Sequence, residues 1–132
     1  MYSDETIEPG HRPPISNGAG SFLPAIRTST GPILELYCHF LQITAKLATR
    51  AGFQWVTIDM EHWPFTPEQA TQLVHAVIAA SQGACSPLIR VPSYGTEWIK
   101  WTLDSGAAGT IVSVAHNAAE MEDIIDKALY PP

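Results

Sequence analysis

The chain has 132 residues, enough for one domain with a real core and too few for two. Its 45% hydrophobic and 15% charged residues exclude a disordered polymer, and a net charge of -6 argues against a nucleic-acid partner, which requires Lys and Arg to displace counterions from phosphates. Cys38 and Cys85 are too few for a disulfide framework and lack metal-site spacing, so a reducing compartment is expected.

Residues 1–20 carry Pro9, Gly10, Pro13, Pro14, Gly18 and Gly20, a composition that predicts a flexible leader ahead of one domain over 21–132. Asp4, Glu5 and Glu8 stand where a secretory signal would need an apolar core, so a cytoplasmic location is expected. Ser21 to Ile26 is expected as a short strand, confined to an edge by Pro24. A helix is predicted from about Ile33 to Arg50, stopped at Gly52. The apolar run Ile33 to Ile43 is broken by Glu35, His39 and Gln42, so no bilayer span or membrane partner is expected.

Phe53 to Ile58 reads as a buried strand. Thr66-Pro67-Glu68-Gln69 then combines an N-cap, a proline at the first helical position and a capping-box glutamine. Ala70, Leu73, Val74, Val77 and Ile78 follow at the spacing of one helix face, and Gly83 ends that helix. Pro87 to Pro92 predicts a strand, Thr96 a cap for a helix over Glu97 to Asp104, and Thr110 to Val114 another strand. Asn117 and Glu120 form a capping pair before Met121, Ile124, Ile125 and Ala128. Strand and helix alternate with short connections, which predicts an α/β fold with a parallel sheet and right-handed crossovers.

In such folds ligands lie beyond the carboxyl ends of the strands. Asp59, Glu61 and His62 fall there, three ionisable groups within four residues, where the plain alternative is a polar strand-to-helix loop. Asp59 and Glu61 point together because side chains alternate along a strand. Arg90 ends the next strand, and its planar fork suits a carboxylate or enolate oxygen. The alternative there is a side chain snorkelling to solvent. Asp104 sits in the last turn of its helix, where the macrodipole disfavours a negative charge, although a solvated surface aspartate costs little. His39, His75 and His116 read as structural or surface residues. Trp98 and Trp101, three apart, are expected to cover the sheet.

Ala51-Gly52-Phe53-Gln54-Trp55, Ile58-Asp59-Met60-Glu61-His62, Pro87-Leu88-Ile89-Arg90-Val91-Pro92, Trp98-Ile99-Lys100, Leu103-Asp104-Ser105-Gly106-Ala107 and Tyr130-Pro131-Pro132 resemble, in order and near spacing, the HpcH/HpaI aldolase/citrate lyase family. The resemblance covers about residues 43–132, with a weaker echo near Leu23 to Pro32. It implies a (β/α)8 TIM barrel of which this chain supplies about the first four β/α units. It also implies a carbon–carbon lyase that cleaves a 4-hydroxy-2-oxo acid to pyruvate and an aldehyde with a divalent metal of the Mg²⁺ or Mn²⁺ class. On that resemblance His62 is the catalytic base and Arg90 binds the pyruvyl oxygens and steadies the enolate. Asp104 raises the basicity of the histidine, and Asp59 and Glu61 are supporting acids. The family's metal ligands are expected beyond residue 132, so none is assigned here, and a complete protein is expected to be a homo-oligomer.

The sequence also departs from the family. Ile33 to Gln42 reads as inserted, Ser113-Val114-Ala115 replaces a strand end that usually includes proline, and the pattern stops at Pro132. The expectation is a truncated chain that binds no metal and has no turnover by itself, with a non-catalytic interaction or scaffold module as the alternative. A small hydrolase built on Asp59, Glu61 and His62 is a third reading. A regular helix from Thr96 would carry Asp104 roughly 12 Å back from the His62 rim, so their pairing needs a tilted or short helix or a neighbouring subunit.

Overall fold

The computed structural model describes residues 27–28, 35–38 and 51–129. The expected leader over 1–20 and the strand expected at Ser21 to Ile26 lie outside them. Four strands, β1 (Glu35–Cys38), β2 (Trp55–Asp59), β3 (Ser86–Arg90) and β4 (Gly109–Ile111), form one sheet in the order β1-β2-β3-β4, every pair parallel. Helices α1 (Pro67–Ser81), α2 (Thr96–Asp104) and α3 (Ala118–Ala128) follow β2, β3 and β4. The spatial order repeats the chain order without the reversal that marks a doubly wound sheet, so this is part of a (β/α) barrel.

One expectation is corrected outright. The segment predicted to be helical from Ile33 to Arg50 contains β1, which pairs with β2 from Glu35↔Trp55 to Cys38↔Ile58. A short, crowded apolar run cannot be assigned by periodicity. Here, pairing to a strong neighbouring strand overrides local helix propensity.

The remaining elements form where local chemistry dictates. The Thr66 side chain accepts from the Gln69 N–H while the Gln69 side chain accepts from the Thr66 N–H, closing the capping box of α1, with Pro67 at its start. The same helix ends on Gln82 at φ 52 and Gly83 at φ 82, left-handed positions that turn the chain back toward β3. Asn117 caps α3 by accepting from the Glu120 N–H at 2.9 Å. For α2 the expected cap is wrong. Thr96 is the first helical residue, and the cap is Gly95, which makes no side-chain bond. Strand β4 is also shorter than the Thr110 to Val114 prediction, so Ser113 belongs to the loop above the sheet.

The main core lies between the sheet and its helices. Ile58, Met60, Ile89 and Val91 meet Ala70, Leu73 and Val74 of α1 together with Ala107. Trp98 and Trp101 pack against this cluster as expected, ring to edge with centroids 6.2 Å apart. Because side chains alternate along β2 and β3, residues between these core positions point to the other face. Burying Ile58 and Ile89 under α1 thus delivers Asp59 and Arg90 to the opposite side, at the carboxyl ends of adjacent strands.

Candidate functional site

Parallel pairing puts Asp59 and Arg90 in register as the last residues of β2 and β3, and the Met60 N–H donates to the Arg90 carbonyl at 2.9 Å just beyond them. The Asp59 side chain is 1% exposed and that of Arg90 18%. Arg90 Nε donates to Asp59 Oδ1 at 3.0 Å and Nη2 donates to Oδ2, a two-pronged, charge-assisted contact that fixes the plane of the guanidinium. Asp59 Oδ1 also accepts from the backbone N–H groups of Glu61 at 3.0 Å and His62 at 3.2 Å. One buried carboxylate therefore orients the arginine and folds the turn that carries the next two candidate residues.

Burial alone would push the Asp59 carboxyl up. The Arg90 hydrogen bond, the N–H groups of His62 and Glu61, and the Arg90 charge outweigh it and hold the group below the ordinary value of 3.8. A carboxyl whose folded value is depressed stabilises the fold above its unfolded value and loses that contribution as pH falls through the folded one. The denaturation midpoint of the native chain is therefore expected to drop on acidification below about 3.8, with a flatter acid limb in Asp59→Asn. Equal slopes in the two would separate Asp59 from acid stability.

Glu61 joins the neighbouring groups. Its Oε2 accepts from the Ser113 hydroxyl, lies 3.4 Å from Arg90 Nε and 3.7 Å from His62 Nε2. The His62 side chain is 66% exposed, open to a ligand at the rim. Beside this cluster a cleft of about 160 Å³ opens between the loops after β3 and β4, walled by Glu61, Ser113, Val91 and Tyr94. Lys127 of α3 sits over the Tyr94 ring, 5.2 Å from its centroid.

The structure thus brings Asp59, Glu61, His62 and Arg90 to one rim. It leaves Asp104 elsewhere. That residue ends α2, is exposed, and is followed four residues later by Ala108, whose N–H donates to the Pro87 carbonyl near the start of β3. Nine helical residues therefore carry the chain from the carboxyl ends of the strands back toward their amino ends, about 12 Å of rise. Asp104 does not meet the His62 of its own chain. His75 and His116 are exposed, as expected of surface residues.

No group of three or more His, Cys, Asp or Glu side chains able to hold a metal ion occurs among the described residues. Asp59 is committed to Arg90 and to its turn, so the hydrolytic triad of Asp59, Glu61 and His62 is not assembled, and these residues do not by themselves fit a divalent metal. Cys85 is no candidate nucleophile, because burial pushes its thiol up to about 11. No helix among the described residues is long and apolar enough to cross a membrane.

Two features escaped the sequence reading. The Asp59–Arg90 pair was detectable in principle, as opposite charges at equal depth on successive parallel strands. Ser113 as a partner of Glu61 carried no signal, since a serine in a loop is ordinary.

The family model for HpcH/HpaI aldolase/citrate lyase matches residues 40–132. A hydroxypyruvate/pyruvate aldolase of Agrobacterium fabrum is 35% identical over 91 residues, 68% of this chain and 33% of the relative. A 4-hydroxy-2-oxovalerate aldolase of Novosphingobium aromaticivorans is 33% identical over 88 residues, 67% of this chain and 33% of the relative. The chain thus spans about a third of the length of the curated relatives it matches. A solved HpcH/HpaI aldolase/citrate lyase family protein from Burkholderia cenocepacia J2315 superposes with a TM-score of 0.78 at 24% identity, over 89% of this chain and 44% of that one, a likeness of fold.

Proposed function

Because the chain belongs to the HpcH/HpaI aldolase/citrate lyase family, we propose that it carries the base and the oxyanion-binding arginine of a class II aldolase that cleaves a 4-hydroxy-2-oxo acid to pyruvate and an aldehyde. The observation that carries this reading is the pinned guanidinium. Arg90 is held by a buried Asp59 at the rim that also presents an exposed His62, with the Glu61 carboxylate 3.4 and 3.7 Å from the two.

In this mechanism His62 takes the proton of the C4 hydroxyl. The C3–C4 bond breaks, its electron pair passes into the pyruvate enolate, and the aldehyde leaves. Protonation at C3 then completes pyruvate. Arg90 binds the oxygen on which charge develops, and its fixed plane means that little reorganisation is needed when the charge appears. A divalent metal, if bound in the protein that carries this chain, would supply Lewis-acid polarisation of the ketone, and the described residues do not by themselves hold one. Asp104 serves the His62 of a neighbouring copy rather than its own, so the active form is an oligomer.

The test is pyruvate release from 4-hydroxy-2-oxopentanoate, with Mg²⁺ or Mn²⁺, by the protein that carries this chain. Release is expected. Its absence with both metals would reject the catalytic reading and leave the interaction module.

A further inference from the structure

We infer that Ser113 is a positioning residue: from the loop after β4, its hydroxyl holds the Glu61 carboxylate against Arg90, so that the guanidinium is steadied by Glu61 as well as by Asp59. The two acids reach Arg90 by different routes. Asp59 is buried, ends its strand in register with Arg90, and is tied to the backbone of its own turn. Glu61 stands two residues further on, with a longer side chain that is 25% exposed, so its placement depends on what grips the carboxylate.

The grip comes from β4. Arg90 is in register with Ile111, the last residue of β4, and Ser113 stands two residues beyond it in the loop above the sheet. Its hydroxyl donates to Glu61 Oε2, the same oxygen that lies 3.4 Å from Arg90 Nε and 3.7 Å from His62 Nε2. A hydroxyl donating to a carboxylate is charge-assisted and directional. It links the ends of β2 and β4 across the guanidinium of β3. Without it the Glu61 carboxylate swings toward solvent, while Arg90 Nε keeps its bond to Asp59, 3.0 Å away. The consequence for catalysis rests on the role proposed above for Arg90, whereas the contact itself does not.

The test reads the arginine directly. In the chain, exchange of the Arg90 Nε–H with water, followed by nitrogen-15 NMR, should quicken several-fold in Ser113→Ala and return to the native rate in Ser113→Thr. Ser113→Ala should add nothing in a Glu61→Ala background, and the amide signals of α1 should stay in place throughout. An unchanged rate in Ser113→Ala, a failure of threonine to restore it, or an equal acceleration without Glu61 would overturn the inference. In the protein that carries this chain, Ser113→Ala should lower kcat for pyruvate release several-fold, with rescue by threonine. An unchanged kcat alongside faster exchange would overturn the catalytic part. If exchange behaves as expected and no variant or native protein releases pyruvate, the positioning stands and the aldolase reading fails.

Discussion

Arg90→Met is expected to destabilise the chain by about 3–5 kcal/mol, the range for removing one partner from a buried ion pair. The cost does not come mainly from a lost attraction. It comes from the partner left behind, since Asp59 is 1% exposed and would keep a charge with no counter-ion, or take up a proton to avoid it. Adding Asp59→Asn to Arg90→Met should therefore recover a substantial part of the loss, because a neutral amide can still accept from the Glu61 and His62 N–H groups. Urea midpoints for the two single variants and the double variant measure this. Strictly additive losses would mean that the two side chains do not depend on each other.

His62→Ala should behave in the opposite way. The imidazole is 66% exposed, so its removal is expected to change stability by no more than about 0.5 kcal/mol. Turnover in the protein that carries this chain should nevertheless fall by about 10²–10⁴-fold, the usual contribution of a positioned general base. The contrast matters more than either number. On the proposed mechanism Asp59 and Arg90 couple fold and chemistry in one contact, whereas His62, at the open end of the same turn, would serve chemistry alone. Near-native turnover in His62→Ala would remove it from the mechanism.

The parts of this architecture legible in the sequence are those whose signals are local. Thr66 through Gln69 announce the start of α1, because cap, proline and capping-box partner lie within four residues. The cap of α3 at Asn117 is read in the same way. Strand β1 does not show in the local sequence because its identity is set by pairing with Trp55 to Ile58, each partner twenty positions away. At the site, parallel topology alone predicts His62 and Arg90 on one rim. The embrace of Arg90 by Asp59, and the reach of Ser113 to Glu61 across 52 positions of sequence, depend on inter-strand register. That register follows from the packing of Ile58 and Ile89 under α1. The cap of α2 differs from the expectation by one residue, because Gly95 is the last extended residue and Thr96 is already helical.

If a guanidinium fixed in its plane at the rim steadies the pyruvate enolate, removing its fork while keeping its charge must slow enolate formation. Deuterium incorporation into the methyl group of pyruvate in heavy water, with Mg²⁺ or Mn²⁺, reads that step in the protein that carries this chain and in its Arg90→Lys form. Lysine keeps a positive charge against Asp59 but not the fork. Exchange is expected in the native protein, with a loss of about 10²-fold or more in the variant. Equal exchange rates in the two would contradict it.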